Sequence, residues 1–215
     1  MRLVLAAAAA ALLSVSAEAA QEARIETSRG TIVIALDGEH APVTVANFVR
    51  YAKAHLFNGT IIYRVVPGYV IQAGSFGADG KWRQVGKAIP LETATGLSNV
   101  RGAIAMARED KLQSAKAEFF INLADNAAAL DAKPDAAPNT TGYAVFGHVT
   151  AGMDVVDAIA GVPLGGGKGF FPAADPKTPI VIKTVTIATV PDALPAATPA
   201  DTGATPPSDP TPPAQ

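Results

Sequence analysis

Eight short apolar runs, at residues 24–27, 30–36, 60–66, 70–72, 103–107, 119–123, 144–149 and 180–190, are each cut off by turn-forming residues, chiefly Gly, Pro, Asn and Asp. Such β-branched runs read as strands, and Ser28-Arg29-Gly30 between the first two reads as a hairpin turn. So many short strands expose many edges, and closing the sheet on itself removes them. The period changes to that of a helix at 42–54, where Val45, Phe48, Val49 and Ala52 make one stripe behind Pro42. It changes again at 151–160, where Met153, Val156 and Ile159 are spaced helically before Gly161-Val162-Pro163 stops the element. The expected fold is therefore mainly β, a closed barrel of eight strands with its ends capped by two helices.

One residue sits awkwardly in that scheme. Arg64 lies in the run 60–66, which alternates poorly and so reads as a strand buried on both faces. A guanidinium does not shed its proton, and burying it without polar partners is severely unfavourable. Either Arg64 faces a cleft with a partner such as Gln72, or its stem lies on apolar surface and its head reaches water.

Composition narrows the function classes. Met1-Arg2, the apolar run 3–15 and the small residues Ala17-Glu18-Ala19-Ala20 have the layout of an export signal, expected over 1–20 and removed in the mature protein. As a helix, 3–15 would reach ~20 Å, short of the ~30 Å hydrocarbon core, so no stable membrane insertion is expected after removal. The absence of cysteine excludes a disulfide framework and a thiolate metal site. Residues 191–215 contain eight prolines and no aromatic side chain, a composition that reads as a disordered tail. One domain is left, 21–190. Setting aside Arg2, Glu18, Asp192, Asp201 and Asp209 from the 17 basic and 19 acidic residues leaves it 16 and 15. A near-neutral domain is a poor nucleic-acid binder, and none is expected as a partner.

Most reactive constellations are missing. His40, His55 and His148 lie at no metal-ligand spacing, and no metal or cofactor is expected. Ser75, in Ala73-Gly74-Ser75-Phe76-Gly77, lacks the glycine two residues earlier that a nucleophile elbow needs. Lys168, in the Gly-rich stretch 165–169, has no upstream glycine at phosphate-loop spacing. Asn58 and Asn139, each at a glycosylation-type triplet, read more simply as turn residues. What remains is a cleft with one permanent cation and aromatic neighbours.

The run Phe57-Asn58-Gly59-Thr60-Ile61-Ile62-Tyr63-Arg64-Val65-Val66-Pro67-Gly68-Tyr69-Val70-Ile71-Gln72-Ala73-Gly74 resembles the signature of cyclophilin-type peptidyl-prolyl cis-trans isomerases around their catalytic arginine. Gly102-Ala103-Ile104-Ala105-Met106-Ala107, Glu118-Phe119-Phe120-Ile121-Asn122 and Tyr143-Ala144-Val145-Phe146-Gly147 resemble further blocks of that family, in the family's order. The resemblance is to the bacterial exported form. It implies an eight-stranded antiparallel barrel closed by two helices, a periplasmic monomer, and action on proline-containing unfolded or partly folded polypeptides.

By the same resemblance Arg64 matches the catalytic arginine, Gln72 the glutamine that orients it, and Phe120 the floor of the proline pocket. Tyr69, Val70 and Leu130 fall at the other pocket walls, Ala107 at a backbone contact, and Tyr63 and Tyr143 where histidine is common elsewhere in the family. Three departures stand out: Ala129 in place of a rim aromatic, which implies weak cyclosporin binding, Arg108 in place of an asparagine, and Glu118 in place of a glutamine. Glu118 is expected to pair with Arg64, which would lower activity, or with Arg108, which would change little. A chain weakened in that way would be a proline-segment binding chaperone of the same fold. With an arginine as the working group, turnover is expected to be nearly flat between roughly pH 6 and 8.

Overall fold

The computed structural model describes residues 20–166 and 171–190. The expected export signal, save Ala20, the tail 191–215, and Lys168 lie outside the described residues. A single antiparallel sheet of nine strands forms the body, in the order β3-β9-β1-β2-β8-β6-β7-β5-β4. In chain order these are β1 Gln21–Thr27, β2 Gly30–Leu36, β3 Thr60–Ile61, β4 Arg64–Val66, β5 Val70–Ala73, β6 Ala103–Met106, β7 Phe119–Asn122, β8 Val145–Ala151 and β9 Val181–Thr189.

The first hairpin forms as expected, with β1 paired to β2 from Gln21↔Leu36 to Thr27↔Gly30. Side chains along a strand alternate between faces, so Ala23, Ile25, Ile32, Ile34 and Leu36 all point into the interior. β9 pairs to the other side of β1, and Val190 N–H donates to the Ala20 carbonyl, so the two ends of the domain lie side by side.

The expected stripe of α1 (Pro42–Lys53) is buried on the sheet interior, with Phe48 1% exposed and its ring packed 5.2–5.5 Å from those of Phe57, Phe119 and Phe146. Val156 and Ile159 of α3 (Met153–Ala160) are fully buried, as their spacing predicts. Two expectations need correction. A third helix, α2 (Ala127–Leu130), a single turn, was not anticipated, and four residues are too few to show a period. The other concerns closure.

The run 60–66 is not one strand. Its first half, β3, pairs with β9, and its second half, β4, pairs with β5. Between them the Ile62 N–H goes to the Ile180 carbonyl on one side and the Tyr63 N–H to the Gln72 carbonyl on the other. The strand count is therefore nine rather than eight, and the sheet curls without a ladder joining its two outer strands. Continuous chain joins them instead, because β3 and β4 are halves of one segment. Ile62 and Val65 enter the main core while Ile61 and Tyr63 pack with Phe76 in a separate cluster, so both faces of the run are covered.

With three aromatic rings around it, Phe48 has no neighbour free to collapse into a void. Phe48→Ala is expected to lower the unfolding free energy by about 3–5 kcal/mol, read from urea denaturation with an unchanged slope.

Candidate functional site

Register places the site. Arg64 stands opposite Gln72, Gln72 opposite Phe120, and Phe120 opposite Ala105, so one row runs across β4, β5, β7 and β6. Side chains in a cross-strand row share a face. The adjoining row, Val65, Ile71, Ile121 and Ile104, points the other way into the main core. The Arg64 row therefore lies on the outer face of the sheet.

That outer face carries its own apolar cluster. Val70, Phe120 and Leu130 are 2–6% exposed and pack with Ala103, Ala105 and Val145. Tyr69, Ala107 and Tyr143 stand half-buried against the cluster, and the Tyr143 ring meets Phe120 edge-on at 5.7 Å. A buried amide network aligns these walls. Asn126 Nδ2 donates to the Tyr69 carbonyl (2.9 Å) and to Asn122 Oδ1 (2.8 Å), while Asn122 Nδ2 donates to Asn99 Oδ1 and the Ala103 carbonyl. The Asp131 carboxylate accepts from Asn99 N–H and Nδ2 and from Ser98 Oγ, fixing the C-terminal end of α2, and so Leu130. Tyr143 N–H then donates to the Leu130 carbonyl.

Arg64 is half-buried, next to Gln72 in the row that leads to Phe120. Its Nη1 donates to Gln72 Oε1 at 2.9 Å, and its Cζ lies 5.0 Å above the centre of the Phe171 ring. Gln72 Nε2 donates to Tyr63 Oη (2.7 Å), and Tyr63 Oη donates to Glu118 Oε2 (2.8 Å). Glu118 Oε1 accepts from the Ser75 N–H (2.7 Å) and from Ser75 Oγ. Gly74 makes room for this carboxylate, since a Cβ there would collide with it. Burial, and then the neighbouring Glu118 charge, pushes the Tyr63 phenol well up, so it stays protonated. Burial also raises the Glu118 carboxyl, against the opposing pull of its bonds from Ser75 and Tyr63.

Glu118 thus pairs with neither arginine, contrary to both expectations. Its side chain is taken up by Ser75 and Tyr63 before it can reach a guanidinium. Arg108 is engaged separately: its Nε donates to the Gly142 carbonyl (3.0 Å) and its guanidinium covers the Tyr143 ring at 4.8 Å. Ala107 lines the apolar cluster on one side. On the other it borders an open groove of about 420 Å³, walled also by Tyr63, Gln72, Arg108, Glu118 and Phe171. Ala129 is exposed on α2, where it offers no aromatic rim.

Ten of the eleven residues singled out from the sequence line this cluster or groove, and the eleventh, Arg64, is tied to two groove residues, Gln72 and Phe171. Sequence reasoning missed Phe171, which is distant in the chain and sits beside a Gly-rich stretch with no local pattern. It weighed Ser75 only as a nucleophile and so missed it as the anchor of Glu118.

Residues 23–187 match the family of cyclophilin type peptidyl-prolyl cis-trans isomerases/CLD. The chain is 42% identical over 164 residues to peptidyl-prolyl cis-trans isomerase A of Dickeya dadantii (strain 3937), covering 76% of this chain and 82% of that protein. It is 40% identical over 161 residues to peptidyl-prolyl cis-trans isomerase B of Escherichia coli (strain K12), covering 75% and 96%. In fold it is similar to a Cryptosporidium parvum cyclophilin type isomerase crystallised in the presence of the dipeptide Ala-Pro, with a TM-score of 0.64, 22% identity, and coverage of 79% of this chain and 99% of that one.

The Glu118 environment has a measurable signature. A carboxyl raised on folding binds its proton more readily in the folded state, so its contribution to stability falls as pH rises from its unfolded pKa through its folded one. Urea melts across a pH series should show the wild type gaining stability relative to Glu118→Gln as pH is lowered through that window. A difference that does not vary with pH would contradict the raised value.

Proposed function

The chain belongs to the cyclophilin-type peptidyl-prolyl cis-trans isomerase family and is an enzyme of that class, and from that premise we propose that Arg64 catalyses by stabilising the twisted imide over the Phe120 cluster. Rotation about an X-Pro bond meets a barrier of ~18–20 kcal/mol because the half-turned amide loses resonance. Unassisted, it takes tens of seconds or more. In the twisted state the imide nitrogen recovers its lone pair, so a donor beside it binds that state better than either planar isomer. No acid, base or nucleophile takes part.

The observation that carries this reading is the shared row. Arg64, Gln72 and Phe120 stand on one face of neighbouring strands, which sets a fixed cation beside an apolar surface suited to a pyrrolidine ring. Phe120, Val70, Leu130 and Tyr69 would hold the ring, Gln72 the plane of the guanidinium, and Tyr143 and Ala107 the rim. One preorganised donor is worth ~2.7–4 kcal/mol, or ~100–1000-fold. Binding and orienting the ring supply the remainder.

Among the described residues Arg64 bonds a neutral amide and no carboxylate, which favours catalysis over the weakened, chaperone-like reading. The Ala-Pro dipeptide present with the Cryptosporidium cyclophilin supports proline-containing polypeptides as substrates. The signal-like sequence of 1–20 supports action on exported polypeptides in the periplasm.

Two-dimensional exchange spectroscopy on an Ala-Pro peptide tests the proposal. The wild type is expected to produce exchange peaks, and Arg64→Ala to lose at least ~10-fold in kcat/KM, towards the limit of a single lost donor, with an unchanged circular dichroism spectrum. Peptide shifts without exchange would select the binder, and full activity in Arg64→Ala would remove Arg64 from the mechanism.

A further inference from the structure

A primary amide fills nearly the same space whichever way it is turned, so shape alone does not decide which end of Gln72 meets Arg64. Turned over, it would aim an N–H at the guanidinium, donor against donor. The selection is made further along. Gln72 Nε2 donates to Tyr63 Oη, so the single phenolic proton must go elsewhere, and it goes to Glu118 Oε2. A carboxylate only accepts, and Ser75 holds its other oxygen with two donors, so Glu118 is kept facing Tyr63. The donations run one way, Arg64 to Gln72 to Tyr63 to Glu118.

We infer that Glu118 is a positioning residue for the isomerase reaction: through Tyr63 and the Gln72 amide, its charge sets the hydrogen bond that orients Arg64. This rests on the assignment of Arg64 made above. Protonation would reverse the chain. Oε1 already accepts from Ser75, so the added proton sits on Oε2 and donates to Tyr63 Oη. The phenol must then donate to Gln72, which turns its Oε1 inward and its N–H groups towards Arg64. The guanidinium loses its anchor, while Glu118, Tyr63 and the Gln72 amide oxygen keep hydrogen-bond partners.

Among the described residues the groups facing Glu118 are few. Tyr63 stays protonated, Arg64 lies three hydrogen bonds away, and Arg83, Arg108, Lys116 and Glu109 border the same groove. None of these four hydrogen-bonds Glu118. No histidine lines the groove. The flat profile expected of a permanently charged arginine therefore acquires an acid limb, with kcat falling as pH is lowered through the Glu118 carboxyl, above its ordinary range.

Exchange spectroscopy on the Ala-Pro peptide, run with the full chain across a pH series, decides the matter. The wild type should show the acid limb. Glu118→Gln should lose roughly tenfold in kcat at neutral pH, part of the ~100–1000-fold value of one donor, with little change in KM and no acid limb. Tyr63→Phe should behave alike, and adding Glu118→Gln to it should cost nothing more, since both cut the same chain. Wild-type kcat with an intact acid limb in Glu118→Gln, or additive losses in the double variant, would overturn the inference while leaving Arg64 in place. If Glu118→Gln fails to fold, an acid limb present in the wild type and absent from Tyr63→Phe supports the relay, and the same limb in both overturns it. Absence of exchange by the wild type would instead overturn the assignment of Arg64, and this inference with it.

Discussion

An arginine that keeps its proton at every working pH has to be held beside a surface that would rather meet carbon, and the architecture around it follows from that demand. Its position at the start of β4 puts it directly across from Gln72, which supplies a neutral acceptor at 2.9 Å. A carboxylate there would satisfy the charge more strongly, and it would also spend it. Glu118, the acid at the end of this run of hydrogen bonds, is kept from the guanidinium by a phenol and an amide, so the cation is oriented without being neutralised.

The two faces of the β4–β5–β7–β6 region divide the labour of the molecule. Val65, Ile71, Phe119 and Ile121 look inward to the main core, while Arg64, Gln72 and Phe120 look outward to the site. The backbone between them is shared, so side chains on the outer face inherit the rigidity of the core without contributing to it. The amide network from Asn99 through Asn122 to Asn126 extends that rigidity to α2, which carries Leu130, and to the loops that carry Tyr69 and Tyr143.

Much of this was legible in the residues. The stripe of α1, the first hairpin and the buried spacing of α3 follow from periodicity alone, and Arg64 announced itself as a charge in an apolar run. The split of 60–66 was not legible, because a run buried on both faces looks the same whether it pairs with two strands or changes partner midway. Nor was the fate of Glu118. Its partners, Tyr63 and Ser75, lie 55 and 43 residues away, and only the pairing of β5 with β7 brings them within reach. Phe171 shows the same limit, since no local period marks an aromatic ring that closes over a cation from a loop.

The meeting of Ala20 and Val190 means that the polypeptide enters and leaves the domain at one place. A short linker joining those ends would disturb little, and the backbone is then free to be opened elsewhere. Between Ile62 and Tyr63 such a circular permutation would preserve every ladder of the sheet and sever the strap that ties one edge to the other. Whether the curl survives without that covalent tie measures how much of the sheet's shape is owed to strand pairing and how much to connectivity.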